Sequence, residues 1–421
     1  MFELTGGRPL RGPVKVPGDK SISHRALILA ALADGTSRVT GLSAGLDVAR
    51  TAAALRAFGA VIEPDRVTGG SRLLHANEAP VDVGNSGTTI RLLSGVCARF
   101  PWRTVLFGDD SIARRPMERV AVPLREMGAG VDGSQAGLPG TFPPLTVTGG
   151  GLKGIDYRLP VASAQVKGAV LLAGLGAAGP TTVRESIRTR AHTEEMLAAF
   201  GAEVAVSKDG LTTTVQRSEV QPFEISVPGD PSQAAFWVVA ASLVPGSDVT
   251  VERVYLGPAR GGFVDVLRRM GADIEVEPEG PSHARLHVRY SPLHAADVGG
   301  TEVPGLVDEI PVLAVAAALA EGTTTFRGAA ELRVKESDRI TTVATELSSL
   351  GAAVEPVDDG LVVTGPRQLQ GGLVRSHGDH RLAMSLAVAA LVADGTTRIE
   401  GWEAVATSYP AFEEDLRRLW E

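Results

Sequence analysis

A phrase of eight residues recurs five times along this chain and constrains its fold more than any other feature. The phrase is Leu-x-x-(Phe/Met/Leu)-Gly-Ala-x-(Val/Ile), and its copies are Leu55–Ile62, Leu124–Val131, Leu197–Val204, Leu267–Ile274 and Leu347–Val354. Each copy fits the last turn of a helix, a left-handed glycine that ends the helix, and a β-branched residue that begins a strand. A partial sixth copy lies at Leu416–Leu419. The sequence therefore predicts six similar units with a period of roughly 70 to 80 residues.

A second pattern lies N-terminal to these copies. It is a helix rich in Ala and Leu that ends at a Gly-Thr or similar turn and leads into a strand, and it occurs at Ala30–Thr40, Leu93–Leu106, Leu171–Val183, Val239–Val251, Leu313–Phe326 and Ala387–Ile399. Helix and strand thus alternate twice inside each unit, which is typical of α/β folds. We therefore predict an α/β protein of six repeated units.

The length of the chain and two near-identical segments predict how the units are divided. A chain of 421 residues is longer than a single hydrophobic core usually supports, roughly 250 to 300 residues. The segments Val16–Ser21 and Val227–Ser232 both read Val-Pro-Gly-Asp-x-Ser, and Pro-Gly pairs mark changes of chain direction. We predict that the chain crosses between two lobes near 16–21 and 227–232. The middle lobe would contain residues 19–229 and the second lobe residues 1–18 plus 230–421, with three units each.

The composition excludes several classes of function. A formal net charge of -8 argues against a surface for nucleic acid or an acidic membrane. The single cysteine, Cys97, excludes an intramolecular disulfide and a multi-cysteine metal site, and it fits a reducing compartment. The sequence lacks the common phosphate-loop, dinucleotide, zinc-protease and serine-nucleophile motifs. We predict a monomeric cytoplasmic enzyme without cofactor or metal and without nucleic-acid or membrane partners.

Polar residues collect at the predicted starts of the apolar helices. These starts are Asp19–Arg25, Gly84–Arg91, Ser163–Gln165, Asp230–Gln233, Val307–Glu309 and Gly378–Arg381. Ser, Asp and Asn also serve as ordinary helix caps, so one such start needs no function. However, Lys20, Arg25, Arg91 and Arg381 lie near positive helix ends, where a cation is unfavourable unless an anion joins it. The pattern predicts a site for small anionic substrates, in a cleft between the two lobes.

Two further segments and one carboxylate extend this prediction. We expect Pro116 to open a helix directly after Arg115. Lys335 and Arg339 are four residues apart, so they are predicted to share one helical face, with a solvated salt-bridge face as the alternative interpretation. Asp308 precedes an apolar helix and is predicted to lie at its capping turn. A carboxylate near cations can be tuned for acid/base chemistry.

Six motifs of this chain occur together in one known family. They are Pro17–Arg25, Gly84–Thr88, Arg115–Pro116, Ser163–Gln165, Arg333–Arg339 and Asp379–Arg381. In these motifs the chain resembles the 3-phosphoshikimate 1-carboxyvinyltransferases, which are enolpyruvyl transferases. The resemblance implies two lobes of three repeated α/β units each, an inside-out α/β barrel. It also implies transfer of the carboxyvinyl group of phosphoenolpyruvate to the 5-hydroxyl of 3-phosphoshikimate, with release of phosphate, in the shikimate pathway to chorismate and the aromatic amino acids.

The resemblance implies a role for each matching residue. Catalytic roles fall to Asp308, Glu336 and Lys20, with Asp308 as the proton acceptor at the 5-hydroxyl. The positions that hold 3-phosphoshikimate are Lys20, Ser21, Arg25, Ser163, Ala164, Gln165, Arg190, Asp308 and Lys335. Those that hold phosphoenolpyruvate are Lys20, Asn85, Gly87, Arg115, Gln165, Arg339 and Arg381. Both substrates carry a carboxylate and a phosphate, which planar guanidinium groups bind with two parallel hydrogen bonds.

The chain also departs from the family pattern at several positions. Ala164 stands where many members have a second Ser, Arg190 where others have a Tyr, and Thr407 where some have a Lys. Gly87 leaves room that a larger residue would fill, so we expect glyphosate to compete with phosphoenolpyruvate. Two alternatives remain at this stage. One is UDP-N-acetylglucosamine 1-carboxyvinyltransferase, and the other is a non-catalytic anion-binding or nucleic-acid-processing relative of the same fold.

Overall fold

The computed structural model describes residues 1–134 and 139–420. The chain forms two compact units, which we call the central unit, Lys20–Val227, and the terminal unit, Met1–Asp19 with Pro228–Glu421. The α-helices of the described residues are α1 (Lys20–Leu32), α2 (Leu46–Ala57), α3 (Gly87–Ala98), α4 (Asp110–Ala113), α5 (Glu118–Glu126), α6 (Ala164–Gly174), α7 (His192–Ala199), α8 (Pro231–Leu243), α9 (Gly262–Arg269), α10 (Ile310–Leu319), α11 (Arg339–Ser349), α12 (His380–Val392) and α13 (Phe412–Leu419).

Short strands separate these helices. They are β1 (Phe2–Thr5), β2 (Arg11–Val14), β3 (Gly35–Thr40), β4 (Val61–Ile62), β5 (Arg66–Gly69), β6 (Val81–Asp82), β7 (Arg103–Phe107), β8 (Gly130–Asp132), β9 (Leu145–Thr148), β10 (Asp156–Arg158), β11 (Thr181–Arg184), β12 (Val204–Val206), β13 (Thr212–Val215), β14 (Glu224–Ser226), β15 (Asp248–Tyr255), β16 (Asp273–Pro278), β17 (His283–Arg289), β18 (Asp297–Val298), β19 (Gly322–Phe326), β20 (Ala353–Val357), β21 (Gly360–Gly365), β22 (Leu373–Arg375) and β23 (Thr396–Glu400). Turns of 3₁₀ helix lie at Val303–Gly305, Ala330–Val334 and Trp402–Thr407.

Each repeat forms one small sheet with a recurring strand pattern. In the repeat that begins with β6, β6 pairs parallel to β7, while β9 pairs antiparallel to both β7 and β8. Helix α3 connects β6 to β7, and α5 leads into β8. The sheets are β14-β3-β5-β4, β6-β7-β9-β8 and β10-β11-β13-β12 in the central unit, and β16-β17-β15-β2, β18-β19-β21-β20 and β1-β23-β22 in the terminal unit. The prediction of six repeated α/β units is confirmed.

The recurring Gly-Ala phrase forms the junction between a helix and a strand. Helix α2 ends at Ala57, Gly59 adopts a φ of 100°, and β4 begins at Val61. The backbone N–H of Ala60 donates to the carbonyl of Leu55 at 3.0 Å, which satisfies a carbonyl at the helix end. The corresponding glycines of the other four copies also have a positive φ, and they are Gly128, Gly201, Gly271 and Gly351. The phrase is therefore repeated because each repeat needs a left-handed residue there.

Two strands belong to a different repeat from the helix that follows them in sequence. Strand β2 precedes α1 but pairs parallel with β15, and β14 precedes α8 but pairs parallel with β3. The chain passes from one unit to the other soon after each of these strands, between Asp19 and Lys20 and between Val227 and Pro228. In the terminal unit the two passing segments are joined by backbone hydrogen bonds, from Asp19 N to Pro228 O at 2.7 Å and from Asp230 N to Pro17 O at 2.9 Å.

The apolar helices form the cores of the two units. In the terminal unit, α8, α10 and α12 pack against one another, and every residue of Ile310–Ala318 is buried. In the central unit, α3 packs closely on α6, where a methyl group at Gly95 would lie only 2.1 Å from the carbonyl oxygen of Ala169. Cys97 of α3 is buried, and burial raises the pKa of its thiol to about 12. Among the described helices, none combines the length and apolarity that crossing a lipid bilayer requires.

Because these helices are apolar along their length, polar side chains concentrate at their first turns. Ser86 caps α3 by accepting from Thr89 N, and Ser163 caps α6 by accepting from Val166 N. In the terminal unit Asp230 caps α8, and Asp379 caps α12. A capped helix start holds the side chains of its first turn in fixed positions, next to backbone N–H groups that attract anions.

Candidate active site

The central unit gathers several predicted residues around Arg25 of α1. The Arg25 guanidinium donates from Nε to Thr193 Oγ1 at 2.6 Å and from Nη1 to Ser21 O at 3.0 Å. It also donates from Nη2 to Ala164 O at 3.4 Å, which connects it to the start of α6. Lys20, at the first position of α1, forms an ion pair with Asp47 at 3.0 Å. The structure thus brings Arg25 next to Ser21 and Ala164.

A second group lies between the starts of α3 and α6. Arg91 donates from Nη1 to Gln165 Oε1 at 2.7 Å and to Gly87 O at 3.2 Å. Gln165 in turn donates from Nε2 to Thr88 Oγ1 at 2.8 Å. Gln165 follows Ala164 on α6, so this group adjoins the Arg25 group. The sequence marked Arg91 as a cation at a helix start without assigning it a role.

Arg115 lies beside the glycine loop that begins α3. It donates from Nη2 to Asn85 Oδ1 at 3.0 Å and to Ser111 Oγ at 3.3 Å. A methyl group built on Gly87 would lie 2.8 Å from Arg115 Nη1 and 2.9 Å from Arg91 Nη1. Gly87 therefore leaves space that two guanidinium groups border.

The predicted helix start at Pro116 is wrong. Helix α5 begins two residues later, at Glu118, and Pro116 lies in the preceding loop. Arg115 instead follows the short helix α4, and its side chain reaches back to Ser111 of that helix. Proline is compatible with an extended loop as well as with a first helical turn, so its presence alone does not locate the helix start.

His24 and Arg190 are two further residues of interest in the central unit. His24 shares a hydrogen bond between its Nδ1 and Thr51 Oγ1 at 2.7 Å. Burial, followed by the charges of Lys20 and Arg25, lowers the pKa of His24 well below its ordinary value, so the ring is neutral at pH 7. Arg190 is half-buried in the loop between β11 and α7. The neutral His24 therefore joins α1 to Thr51 of α2 without adding positive charge.

The terminal unit is organised around Arg339, the first residue of α11. Its guanidinium donates to three carboxylates: Asp379 at 2.7 Å, Glu336 at 2.6 Å and Asp308 at 3.2 Å. Only 1% of the Arg339 side chain is exposed, against 13% for Asp308 and 19% for Glu336. Arg339 therefore holds two predicted catalytic carboxylates that remain partly accessible.

Two further cations surround Asp308. Lys335 Nζ lies 3.9 Å from Asp308 Oδ1, and Arg381 Nη2 lies 3.8 Å from Asp308 Oδ2. Arg381 also donates from Nη1 to the carbonyl oxygen of Asp308 at 3.3 Å. Asp308 lies in the turn before α10, next to the N-cap residue Glu309. The terminal unit thus gathers five of the predicted residues, Asp308, Lys335, Glu336, Arg339 and Arg381.

The prediction that Lys335 and Arg339 share one helical face is wrong. Lys335 has an extended backbone at the end of a 3₁₀ turn, and α11 begins only at Arg339. The reason is Asp338, which caps α11 by accepting from Thr341 N. Glu336 contacts Arg339 because the intervening loop turns back on the helix start.

The charges of the terminal cluster stabilise one another. Burial alone would lower the pKa of Arg339, but the carboxylates of Asp379, Glu336 and Asp308 outweigh it and raise the pKa. Burial would raise the pKa of Asp379, yet the adjacent Arg339 keeps it below its ordinary value. Both groups are therefore ionised at neutral pH, and Arg339 is a permanent cation beside Asp308 and Glu336.

Sequence reasoning missed a second buried arginine. Arg260 donates from Nη2 to Asp19 Oδ2 at 2.9 Å and to Asp230 Oδ1 at 2.8 Å, and its Nη1 lies 3.6 Å from Glu309. Burial would lower the pKa of Arg260, but the surrounding carboxylates raise it. No motif surrounds Arg260, and the duplicated Asp19 and Asp230, interpreted above only as crossing points and helix starts, are the signal that could have indicated a shared cation.

The arrangement is suited to binding anions. Guanidinium groups at capped helix starts bind phosphate and carboxylate groups with two hydrogen bonds. A carboxylate such as Asp308, held by a neighbouring arginine, can accept a proton from a hydroxyl group. Among residues 1–134 and 139–420, no group of three His, Cys, Asp or Glu side chains is arranged to hold a metal ion.

Comparison with known proteins identifies a family for this arrangement. The family model described as EPSP synthase (3-phosphoshikimate 1-carboxyvinyltransferase) matches residues 4–416. A 3-phosphoshikimate 1-carboxyvinyltransferase of Geobacillus kaustophilus is 50% identical, over 97% of this chain and 98% of the relative. One of Synechococcus sp. is 49% identical, over 99% of this chain and 98% of the relative.

Solved structures match over the same extent. An EPSP synthase from Acinetobacter baumannii has a TM-score of 0.87 and 42% identity, and the match covers 99% of this chain and 97% of that chain. The enolpyruvyl transferase NikO from Streptomyces tendae has a TM-score of 0.79 at 21% identity, with 99% of this chain and 96% of that chain covered. At that identity the second match concerns the fold alone.

Proposed function

Because the chain belongs to the EPSP synthase (3-phosphoshikimate 1-carboxyvinyltransferase) family, we propose that its two cation clusters hold the two substrates of that enzyme. The chain transfers the carboxyvinyl group of phosphoenolpyruvate to the 5-hydroxyl of 3-phosphoshikimate and releases phosphate. The observation that carries the residue assignment is the set of direct contacts around Arg25, Arg115 and Arg339, which join motifs far apart in sequence.

3-Phosphoshikimate is assigned to the Arg25 group. Its phosphate would accept from Ser163 and Gln165 at the start of α6, with Lys20 and Arg25 supplying charge. Ala164 lacks a hydroxyl, and the half-buried Arg190 would replace the donor that is missing there. In the terminal unit, Asp308 and Lys335 would bind the hydroxyl groups of the ring. Ser21 completes the set.

Phosphoenolpyruvate is assigned to the remaining cations. Arg115 and Asn85 are already joined at 3.0 Å beside the space at Gly87. The terminal unit would supply Arg339 and Arg381, whose guanidinium groups match a carboxylate or a phosphate. Lys20 and Gln165 would contact both substrates.

The proposed mechanism divides proton transfer among three residues. Asp308 takes the proton of the 5-hydroxyl as that oxygen forms a bond to C2 of phosphoenolpyruvate, while the methylene carbon gains a proton and becomes a methyl group. The tetrahedral intermediate then returns a methyl proton to the group that supplied it, as the bond between C2 and the phosphate oxygen breaks, which restores the double bond. Glu336 and Lys20 are the groups proposed to protonate the carbon and to stabilise the departing phosphate.

We also propose that the protein acts as a monomer in the cytoplasm. The single cysteine, Cys97, is buried, and burial raises the pKa of its thiol to about 12, so it is unreactive. A chain with one buried thiol cannot form an intramolecular disulfide, so it does not need an oxidising compartment. Both groups of proposed residues come from one chain, so the assignment requires no second copy.

A pair of substitutions tests the assignment of the substrates. Arg25→Met should raise KM for 3-phosphoshikimate roughly 10- to 100-fold, because a charged hydrogen bond is lost, while leaving KM for phosphoenolpyruvate nearly unchanged. Arg115→Met should show the opposite selectivity. Release of phosphate from phosphoenolpyruvate would be followed while each substrate is varied in turn, with UDP-N-acetylglucosamine as an alternative acceptor.

The control for both variants is Arg103→Met, because Arg103 is an exposed arginine of the same unit. Its kinetic constants should match those of the wild type. Equal increases of both KM values in Arg25→Met and Arg115→Met would contradict the assignment. Turnover that requires the UDP-sugar would contradict the choice of acceptor.

Gly87→Ala should weaken the binding of both phosphoenolpyruvate and glyphosate. The added methyl group would lie within 2.9 Å of the guanidinium nitrogens of Arg91 and Arg115, which must move. We expect KM for phosphoenolpyruvate to rise about tenfold, and the inhibition constant of glyphosate to rise at least as much. Gly130→Ala is the matched control, since its methyl group would meet its nearest neighbour at 3.4 Å. An unchanged KM in Gly87→Ala would show that the space at Gly87 is not used.

A further inference from the structure

A buried lysine lies directly behind the start of α6. Lys167 Nζ contacts Glu185 Oε2 and Glu194 Oε1, each at 2.7 Å. The side chains of Lys167 and Glu185 are each 1% exposed, and that of Glu194 is 4% exposed. Lys167 is therefore sequestered from solvent, and nothing in the proposed reaction makes use of it.

Stability alone is a weak reason for such a cluster. Removing an ammonium and two carboxylates from water costs free energy that their attraction only partly offsets, and apolar residues of similar volume often do as well. What an ion cluster does provide is a definite geometry, because three charged groups must meet at hydrogen-bonding distance. The segments that it joins therefore indicate its use.

One of these segments is the first turn of α6. Ser163, Ala164 and Gln165, the proposed 3-phosphoshikimate ligands, come just before Lys167 in the chain. Helix geometry makes Lys167 rigid with respect to these residues, because all of them belong to one capped turn.

The other segment is the loop between β11 and α7 together with the first turn of α7. Glu185 follows β11, and Glu194 lies on α7. Between them, Thr189 donates a hydrogen bond to Glu185, so the loop is tied at this point as well. This segment contains Arg190 and Thr193, and Thr193 accepts the 2.6 Å hydrogen bond from Arg25 Nε.

The two segments meet closely at Gly168. A methyl group there would lie 2.8 Å from Thr193 Oγ1 and 3.2 Å from Arg25 Nη2. The lysine cluster thus holds α7 against α6 at a point where Arg25 lies between them. A small shift of α7 would move Thr193 and would release the Arg25 side chain.

We propose that Lys167 is a positioning residue for 3-phosphoshikimate, which acts by tying Glu185 and Glu194 to the start of α6 and thereby fixing Arg190, Thr193 and Arg25. This inference rests on the proposed binding roles of Arg25, Arg190 and the start of α6. It predicts a selective effect, since Arg190 and Arg25 are assigned to 3-phosphoshikimate alone, whereas Arg115, assigned to phosphoenolpyruvate, is held by Asn85 and Ser111.

The test is Lys167→Met, which keeps the length of the side chain and removes the charge. We expect KM for 3-phosphoshikimate, and its Kd by isothermal titration calorimetry, to rise about tenfold, while KM for phosphoenolpyruvate stays within about twofold. Thr193→Val, which removes the acceptor for Arg25, should give a similar selective increase. Both substitutions act through Arg25. The increase in KM for 3-phosphoshikimate in the double variant should therefore be much smaller than the product of the two single increases.

Two further variants keep the test decisive. If Lys167→Met does not fold, Glu194→Gln retains an acceptor for the lysine and should give a smaller increase, about threefold, with the same selectivity. Lys208→Met removes an exposed lysine of the same unit and should change neither constant. Equal effects on both substrates, or a fall in kcat alone, would overturn the inference. If Arg25→Met itself leaves KM for 3-phosphoshikimate unchanged, the proposed binding site fails instead.

Discussion

Replacing Asp308 with Asn is expected to lower kcat by roughly 10²- to 10⁴-fold, the range that general-base catalysis contributes. Asparagine has the shape of aspartate and retains an oxygen that can accept from Arg339 Nη1, now 3.2 Å away. It cannot take up the proton of the 5-hydroxyl, so the loss should appear in kcat, with KM for both substrates changed little. Phosphate release at saturating substrate concentrations measures the effect.

The control must separate lost chemistry from a disturbed charge cluster. Asp273→Asn alters an exposed carboxylate of the same unit that pairs with Arg289 at 2.8 Å, and it should leave kcat within a factor of two. Circular dichroism of Asp308→Asn should match that of the wild type. A kcat within tenfold of the wild-type value in a folded Asp308→Asn protein would mean that another group accepts the proton.

Replacing Arg260 with Met is expected to produce the largest loss of stability among the variants considered. The Arg260 side chain is 1% exposed and forms ion pairs with Asp19, Asp230 and Glu309, all of which are also buried. Removing the cation leaves three buried carboxylates without their shared counter-charge, and breaking a buried ion pair in this way costs about 3 to 5 kcal/mol. For a unit of this size the thermal midpoint should fall by roughly 10 °C.

Two comparisons make this prediction specific. Arg260→Lys keeps the charge but replaces a five-donor fork by a single ammonium, so its midpoint should lie between those of the wild type and Arg260→Met. Arg289→Met breaks an ion pair in which both side chains are more than 40% exposed, and it should leave the thermal midpoint nearly unchanged. Equal midpoints for Arg260→Met and Arg289→Met would show that the buried carboxylates have other sources of compensation.

The repeated architecture was readable from the sequence because its causes are local. A helix that must end within one turn needs a left-handed residue, so glycine recurs at Gly59, Gly128 and the equivalent positions of the other repeats. A helix buried on all sides must be apolar throughout, so its polar residues stand at the capped start. The candidate cations at those starts followed from the same reasoning, and their substrates from the family resemblance.

Predictions that depended on a precise boundary were less successful. Pro116 and the segment Lys335–Arg339 were both assigned to helices, yet α5 begins at Glu118 and α11 at Arg339. In the second case the capping Asp338 and the pairing Glu336 are two residues apart, and from the sequence alone either residue could precede the first turn of the helix. The cap at Asp338 decided the boundary because it satisfies a backbone N–H that a longer helix would have satisfied internally.

By itself the sequence determined the six-unit α/β architecture, the family and the helix starts that carry the candidate cations, because each of these depends on residue types at fixed spacing. Only the tertiary structure decided which distant side chains meet. Arg260 joins Asp19 to Asp230 and Glu309, and Lys167 joins Glu185 to Glu194, across separations that no local pattern encodes. A buried charge must find its partner in space rather than along the chain, so its role appears only once the chain is folded.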